Sequence, residues 1–290
     1  MKNFLALIRP HQWIKNGFVC IGFFFSPTWN AHLFIHVAAA FVAFCVAASA
    51  VYVLNDIRDA QADRLHPTKC KRPIASGAIS VKHGWMLALV LAVLALGCAG
   101  WVGAMGFAFV LAYLLMNVAY SAGLKHVVIL DVFIISAGFM LRILMGTKAI
   151  GIPPSQWLLL TGLMVTLFLG FAKRRAELLL LENLGQANKS AARRVLDDYS
   201  PVVLDQLIGV TAAGTILCYS LYTISPITMA VHRTHNLFFT VPLVMYGMFR
   251  YLFLLHHHSR GGDTARDLFT DRHLLLTAVT WLGASVLILQ

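Results

Sequence analysis

Apolar residues run along this chain in blocks of about twenty, the length an α-helix needs to cross a bilayer, with short polar stretches between them. The blocks predict helical spans near residues 13–28, 33–57, 82–100, 103–121, 127–147, 155–181, 203–225, 236–256 and 272–289, nine in all. The first is short and interrupted, so its start is expected to lie flat on the membrane. Gly97, Gly100, Gly103 and Gly106 bracket the turn between the third and fourth spans, where close helix packing is the expected reason for them.

Composition agrees with the pattern. Of 290 residues, 59% are hydrophobic and 12% charged, against about 25% charged in a soluble domain, and the mean hydropathy is +0.75. The reading is an all-α, polytopic membrane protein with a single membrane-embedded domain over 1–290. Residues 1–16 carry Lys2, Arg9 and Lys15 around a short apolar patch and Pro10, which suits an interfacial segment better than a cleavable signal. The five cysteines are scattered without metal-type or redox spacing and read as core filler, with Cys70 reduced on the cytoplasmic side.

A net charge of +11 would suggest nucleic acid as the partner of a soluble protein. Here the bases lie in short loops, so membrane lipids and a phosphorylated substrate explain them and no nucleic acid is expected. The N-terminus and the loops after the even-numbered spans hold 20 of the 23 Lys and Arg residues. By the positive-inside rule the N-terminus is cytoplasmic and, with an odd number of spans, the C-terminus is outside.

Acidic residues number only 12, with none before Asp56 and none between Asp63 and Asp131. Three of them form one cytoplasmic cassette over 55–80. Asn55, Asp56, Asp59 and Asp63 stand at helical spacing and share roughly one face if the segment is helical. Carboxylates held that close repel unless a cation lies between them, and an all-oxygen set suits Mg²⁺, favoured over Mn²⁺ by availability and not by these ligands. Lys69, Lys71 and Arg72 follow with donors for phosphate oxygens. The pattern reads as a metal-diphosphate site, the alternative being a solvated charged loop.

Other candidates face the same compartment. Tyr120, Lys125 and Asp131 stand around the turn into the fifth span, where Asp131 could also serve only the helix dipole. Arg142, eleven residues past Asp131, lies inside a span and must face protein or water, bonded to backbone carbonyls or lining a cavity. Lys173, Arg174, Arg175, Glu177 and Glu182 follow the sixth span, as membrane anchors or as a second phosphate site. Arg193, Arg194, Asp197, Asp198 and Tyr199 are expected to form a cap. The loop with Gly261, Gly262, Asp263, Arg266, Asp267 and Asp271 shows turn chemistry, and His256, His257 and His258 are read as interfacial anchors.

The run from Asn55 to Asp63 resembles the NDxxDxxxD motif of the UbiA-type intramembrane prenyltransferase superfamily, and the likeness extends over essentially the whole chain. Further stretches resemble its decaprenyl-phosphate phosphoribosyltransferase branch. They are Arg9-Pro10, Gln12-Trp13 and Lys15-Asn16; His66-Pro67-Thr68-Lys69 and Arg72-Pro73-Ile74-Ala75-Ser76-Gly77; Tyr120-Ser121 and Leu124-Lys125; Gly138-Phe139 and Leu141-Arg142; and Lys173-Arg174 with Ala176-Glu177-Leu178. The second aspartate-rich motif of the aromatic prenyltransferases is missing, and only Asp131 stands in its region.

The resemblance implies a nine-helix bundle in a bacterial cytoplasmic membrane that moves 5-phosphoribose from phosphoribosyl diphosphate to a polyprenyl phosphate during cell-envelope synthesis. A homo-oligomer is compatible with it. The expected roles are metal binding for Asn55, Asp56, Asp59 and Asp63, and diphosphate contacts for Lys69, Arg72 and Lys125. Ribose or metal-bound water falls to Tyr120 and Asp131, and the lipid phosphate to Lys15, Lys173 and Arg174, with Arg142 and Glu177 as further substrate contacts. An aromatic prenyltransferase is the nearest alternative, and a transporter with a carboxylate cation site is the alternative of another class.

Overall fold

The computed structural model describes residues 2–26, 29–65, 69–183, 196, 198–257 and 270–289. His66, Pro67, Thr68, Arg193, Arg194, Asp197, His258, Gly261, Gly262, Asp263, Arg266 and Asp267 lie outside them, as does the side chain of Glu182. The described residues contain helices and turns only. In order these are α1 (Lys2–Ile8), a 3-10 helix (Pro10–Cys20), α2 (Ile21–Phe24), α3 (Ala31–Arg58), α4 (Ala60–Arg64), α5 (Val81–Val102), α6 (Ala104–Ala122), α7 (Leu130–Met145), α8 (Gln156–Asn183), α9 (Pro201–Ile224), α10 (Pro226–His232), α11 (Val241–His257) and α12 (Arg272–Leu289). Eight of the helical segments are long and apolar enough to cross a membrane, each close to an expected span.

Local chemistry sets several of the starts. Asn30 Oδ1 accepts from Leu33 N at 2.7 Å to cap α3, and Ser80 and Ser200 cap α5 and α9 in the same way. Pro201 follows Ser200 at the first helical position, where its missing N–H costs nothing.

The first expected span, 13–28, is the exception. It is a 3-10 helix of 11 residues followed by one α-turn, so eight long helices stand where nine were expected. Its period explains the form. Three residues per turn line up Trp13, Asn16 and Val19, and all three are spent on packing. Trp13 Nε1 donates to Ser49 Oγ at 3.0 Å, Asn16 Nδ2 lies 3.2 Å from Cys45 Sγ, and Val19 is fully buried. Three 3-10 residues and four α residues both advance about 6 Å, so the two antiparallel segments keep register between Ser49 and Cys45. At the far end a Cβ on Gly146 would meet the Val19 carbonyl oxygen at 1.6 Å, so only glycine permits that approach.

Tertiary contacts gather into two units: Met1–Phe23, Trp29–Ile134 and Leu141–Ile152 form the first, and Phe24–Thr28, Ile135–Met140 and Pro153–Gln290 the second. In the first, α3 is central and packs chiefly on α5. Lipid tails are as apolar as leucine, so helices in a membrane associate by close packing rather than by expulsion from water. Ala40, Ala43 and Ala47 of α3 and Ala95 and Ala99 of α5 supply a seam of small buried side chains for it. Of the four glycines expected to pack, Gly106 does, against the Ala99 carbonyl and Met145. Gly103 is needed for its φ of 141°, and Gly97 and Gly100 meet nothing close. None of the five cysteines forms a disulfide.

In the second unit α8 packs on α9, and α11 on α12. Arg175 of α8 donates to Asp205 of α9 at 2.5 Å and to the Leu255 carbonyl of α11 at 3.1 Å, tying three helix ends together. An aromatic group forms elsewhere in this unit. Trp281 Nε1 donates to Tyr219 Oη at 2.8 Å, and that hydroxyl lies 2.6 Å from Thr240 Oγ1.

Candidate active site

The cassette folds as the last turn of α3, a break at Asp59, and α4. Asp59 has φ −90° and ψ 0°, off the helical values, yet the i to i−4 hydrogen bonds continue through it: Asp59 N to Asn55 O at 2.9 Å and Asp63 N to Asp59 O at 2.8 Å. The break separates the three carboxylates. Asp56 and Asp63 are 1% and 4% exposed and turn inward, whereas the Asp59 side chain is 37% exposed.

Each carboxylate has found a cation. Arg72, brought back by the turn at Lys69–Lys71, places Nη1 2.7 Å from Asp63 Oδ2 and 3.2 Å from Asp56 Oδ1. Lys125, in the 3-10 turn Leu124–His126, places Nζ 2.7 Å from Asp59 Oδ1. Arg9 reaches Asp56 Oδ1 with Nη2 at 2.5 Å. Ser121 donates to the Asn55 side-chain oxygen, which joins the end of α6 to the end of α3.

One atom is left over. Asp56 Oδ2 is buried with no hydrogen-bond partner among the described residues. An open carboxylate oxygen shielded from water is costly unless something cationic meets it.

The sequence expectations divide accordingly. Asn55, Asp56, Asp59, Asp63, Arg72 and Lys125 are brought together, with Arg72 and Lys125 bonded to carboxylates. Among the described residues no three His, Cys, Asp or Glu side chains are grouped so as to enclose one ion. Tyr120 is buried at the end of α6, Asp131 is fully buried in the first turn of α7, and Lys69 is half-buried beside Arg72. Lys15 is half-buried in the first 3-10 helix.

Arg142 is held elsewhere in the first unit. Its Nε donates to Asn16 Oδ1 at 2.7 Å and its Nη2 to Tyr113 Oη at 3.2 Å, with its guanidinium over the Phe44 and Tyr113 rings. These are side-chain partners where backbone carbonyls or a cavity were expected, about 16 Å along α7 from Asp131. Lys173, Arg174 and Glu177 belong to α8 in the second unit. Arg174, a candidate for the lipid phosphate on sequence, is 1% exposed and bonded to Glu177 one turn on.

Comparison with known proteins places this arrangement. Residues 17–273 match the UbiA prenyltransferase family. The chain belongs to that family. It is a multi-pass membrane protein with the all-helical UbiA fold. A decaprenyl-phosphate phosphoribosyltransferase of Corynebacterium glutamicum is 33% identical over 295 residues, covering 98% of this chain and 85% of that protein. One from Mycolicibacterium smegmatis is 38% identical over 232 residues, covering 78% and 71%. A UbiA homolog from Archaeoglobus fulgidus, solved bound to GPP and Mg²⁺, superposes with a TM-score of 0.75 over 99% of both chains at 15% identity, a likeness of fold.

Two members of this cluster escaped the sequence reading. Arg9 was visible only as part of a motif, 47 residues from the aspartate it meets. Nothing local pointed to it, because Arg58, Arg64, Lys69, Lys71 and Arg72 all stand nearer to Asp56 in sequence. Ser121 adjoins the expected Tyr120, and nothing in its spacing marked its bond to Asn55.

Proposed function

We propose that this chain transfers 5-phosphoribose from phosphoribosyl diphosphate to a polyprenyl phosphate such as decaprenyl phosphate, releasing diphosphate. The observation that carries the reading is the cassette itself: three carboxylates each matched by a cation, with Asp56 Oδ2 buried and open. The relatives named decaprenyl-phosphate phosphoribosyltransferase support this donor and acceptor.

The donor set is all oxygen, the kind a hard divalent ion such as Mg²⁺ or Mn²⁺ takes; Asp56 Oδ2 would hold it, and Asn55, Asp59 and Asp63 would complete the set once a bound diphosphate draws Arg72 and Lys125 from their carboxylates. Such an ion supplies charge neutralisation for a leaving diphosphate. Arg72, Lys125 and Lys69 are the donors to its phosphate oxygens, the first two by exchanging a carboxylate for a phosphate. Departure of diphosphate leaves oxocarbenium-like charge on the ribose anomeric carbon. Tyr120 and Asp131, both buried in the unit that holds the cassette, are assigned to the ribose hydroxyls or to water on the metal. An acceptor phosphate monoester has a second pKa near 6, so it is already an oxyanion at neutral pH and needs no strong base. Residues 1–290 act as one transferase in the bacterial cytoplasmic membrane, with the N-terminus and cassette in the cytoplasm and the C-terminus outside. Lys15 and Lys173 are candidates for the acceptor phosphate.

The test is transfer of label from radiolabelled phosphoribosyl diphosphate into the organic phase, with purified protein in detergent, a polyprenyl phosphate and Mg²⁺. Label should move and stop moving with EDTA. Asp56→Ala and Asp63→Ala should each lower the rate by about a hundredfold or more while leaving the protein in the membrane. Reaction of a prenyl diphosphate with an aromatic acid, and no movement of phosphoribose, would sink the reading in favour of the aromatic branch.

A further inference from the structure

Three observations meet at Arg9. Its backbone is left-handed, φ 50° and ψ 61°, directly before Pro10. Non-glycine residues take that conformation at a cost, and a following proline steers the residue before it toward extended backbone, so the tertiary structure must hold it there. Its guanidinium lies over the Tyr52 ring, 5.2 Å from the centroid, which limits its swing. Its Nη2 meets one of the two oxygens of Asp56, Oδ1 at 2.5 Å, while the second, Oδ2, stays buried and open among the described residues.

A carboxylate on a helix end turns about χ2, and either oxygen could point inward. Fixing Oδ1 fixes the other. Arg72 also touches Oδ1, at 3.2 Å, but it is shared with Asp63 and is the side chain that a phosphate would draw away. Arg9 has no second carboxylate among the described ion pairs.

We propose that Arg9 is a positioning residue, which grips Asp56 Oδ1 so that Oδ2 is presented to the divalent cation of a metal-diphosphate donor. The inference rests on the metal-diphosphate part of the functional reading and is indifferent to the group transferred.

The sign of one substitution separates it from simpler roles. If Arg9 only neutralised Asp56, removing its charge would strengthen cation binding. If it orients Asp56, removing it weakens binding. Full-length protein in detergent is dialysed to equilibrium against radiolabelled inorganic diphosphate over a range of Mn²⁺ concentrations, and the Mn²⁺ needed for half-maximal retention is read.

Arg9→Gln should raise that concentration about tenfold or more. Arg9→Lys, which keeps the charge but loses the planar fork, should restore it only in part, and Tyr52→Leu should shift it in the same direction as Arg9→Gln. Arg58→Gln, an exposed base on the same helix end, should leave it unchanged. Melting temperature and size-exclusion profile report folding, and Tyr52→Leu and Arg9→Lys serve if Arg9→Gln does not fold. An unchanged or lowered Mn²⁺ requirement in a folded Arg9→Gln protein overturns the proposal. Absence of Mn²⁺-dependent retention in the wild-type protein overturns it together with the metal-diphosphate reading on which it rests.

Discussion

Ile129 shares with Arg9 a backbone that L-residues resist. It has φ 67° and ψ −46°, and Leu130 N bonds back to Val128 O at 2.7 Å across it, so a γ-turn of the rare positive-φ kind precedes α7. A β-branched side chain there is strained by about 1–3 kcal/mol. The turn delivers fully buried Asp131 two residues later. Because the Ile129 side chain is 42% exposed, little packing offsets the strain. Ile129→Gly should therefore hold or raise the melting temperature while lowering transfer, because a relaxed turn places Asp131 less firmly. A clear fall in melting temperature with full activity would contradict this.

Among the helices, the long ones were legible because apolar length alone defines a span: α3, α5, α6, α8, α9 and α12 begin and end within about three residues of their blocks. The 3-10 helix was not legible, since its reason lies in Ser49 and Cys45 of α3, which no pattern within Pro10–Cys20 contains. The α3/α5 seam makes a measurable claim. Ala47→Leu should overpack it and cost about 1–3 kcal/mol, read as a lower melting temperature, whereas the same change at exposed Val42 should not. The start of α12 makes another. Asp271 caps it through Leu274 N at 2.9 Å and pairs with Arg250 through both oxygens, at 3.2 and 2.7 Å. The bond from Arg250 leads in holding its carboxyl down to about 2. A depressed folded-state pKa stabilises fully above the ordinary carboxylate range, near 4, and the gain is lost as pH falls through about 2. The protection of first-turn amides of α12, measured relative to their intrinsic exchange rates, should thus hold at pH 5 and fall toward pH 2. Asp271→Ala should show the lower protection throughout, with the loss of the cap contributing about 1 kcal/mol.

Over the whole molecule, distribution of charge was readable and its pairing was not. Bases cluster in alternate loops, which the sequence displays directly. That Arg9, Arg72 and Lys125 each meet one of three aspartates depends on three chain reversals, over separations of 47, 9 and 66 residues. Those three pairs leave the centre balanced before any ligand arrives. A cation or a polyanion arriving alone would leave net charge in the cassette, whereas the two arriving together preserve the balance. The kinetic substrate should then be the preassembled metal complex of the donor. Rates plotted against the concentration of that complex should fall on one curve whatever excess of free metal or free donor is present. Free metal acting as a separate essential activator would show that the balance of three against three does not govern what this site admits.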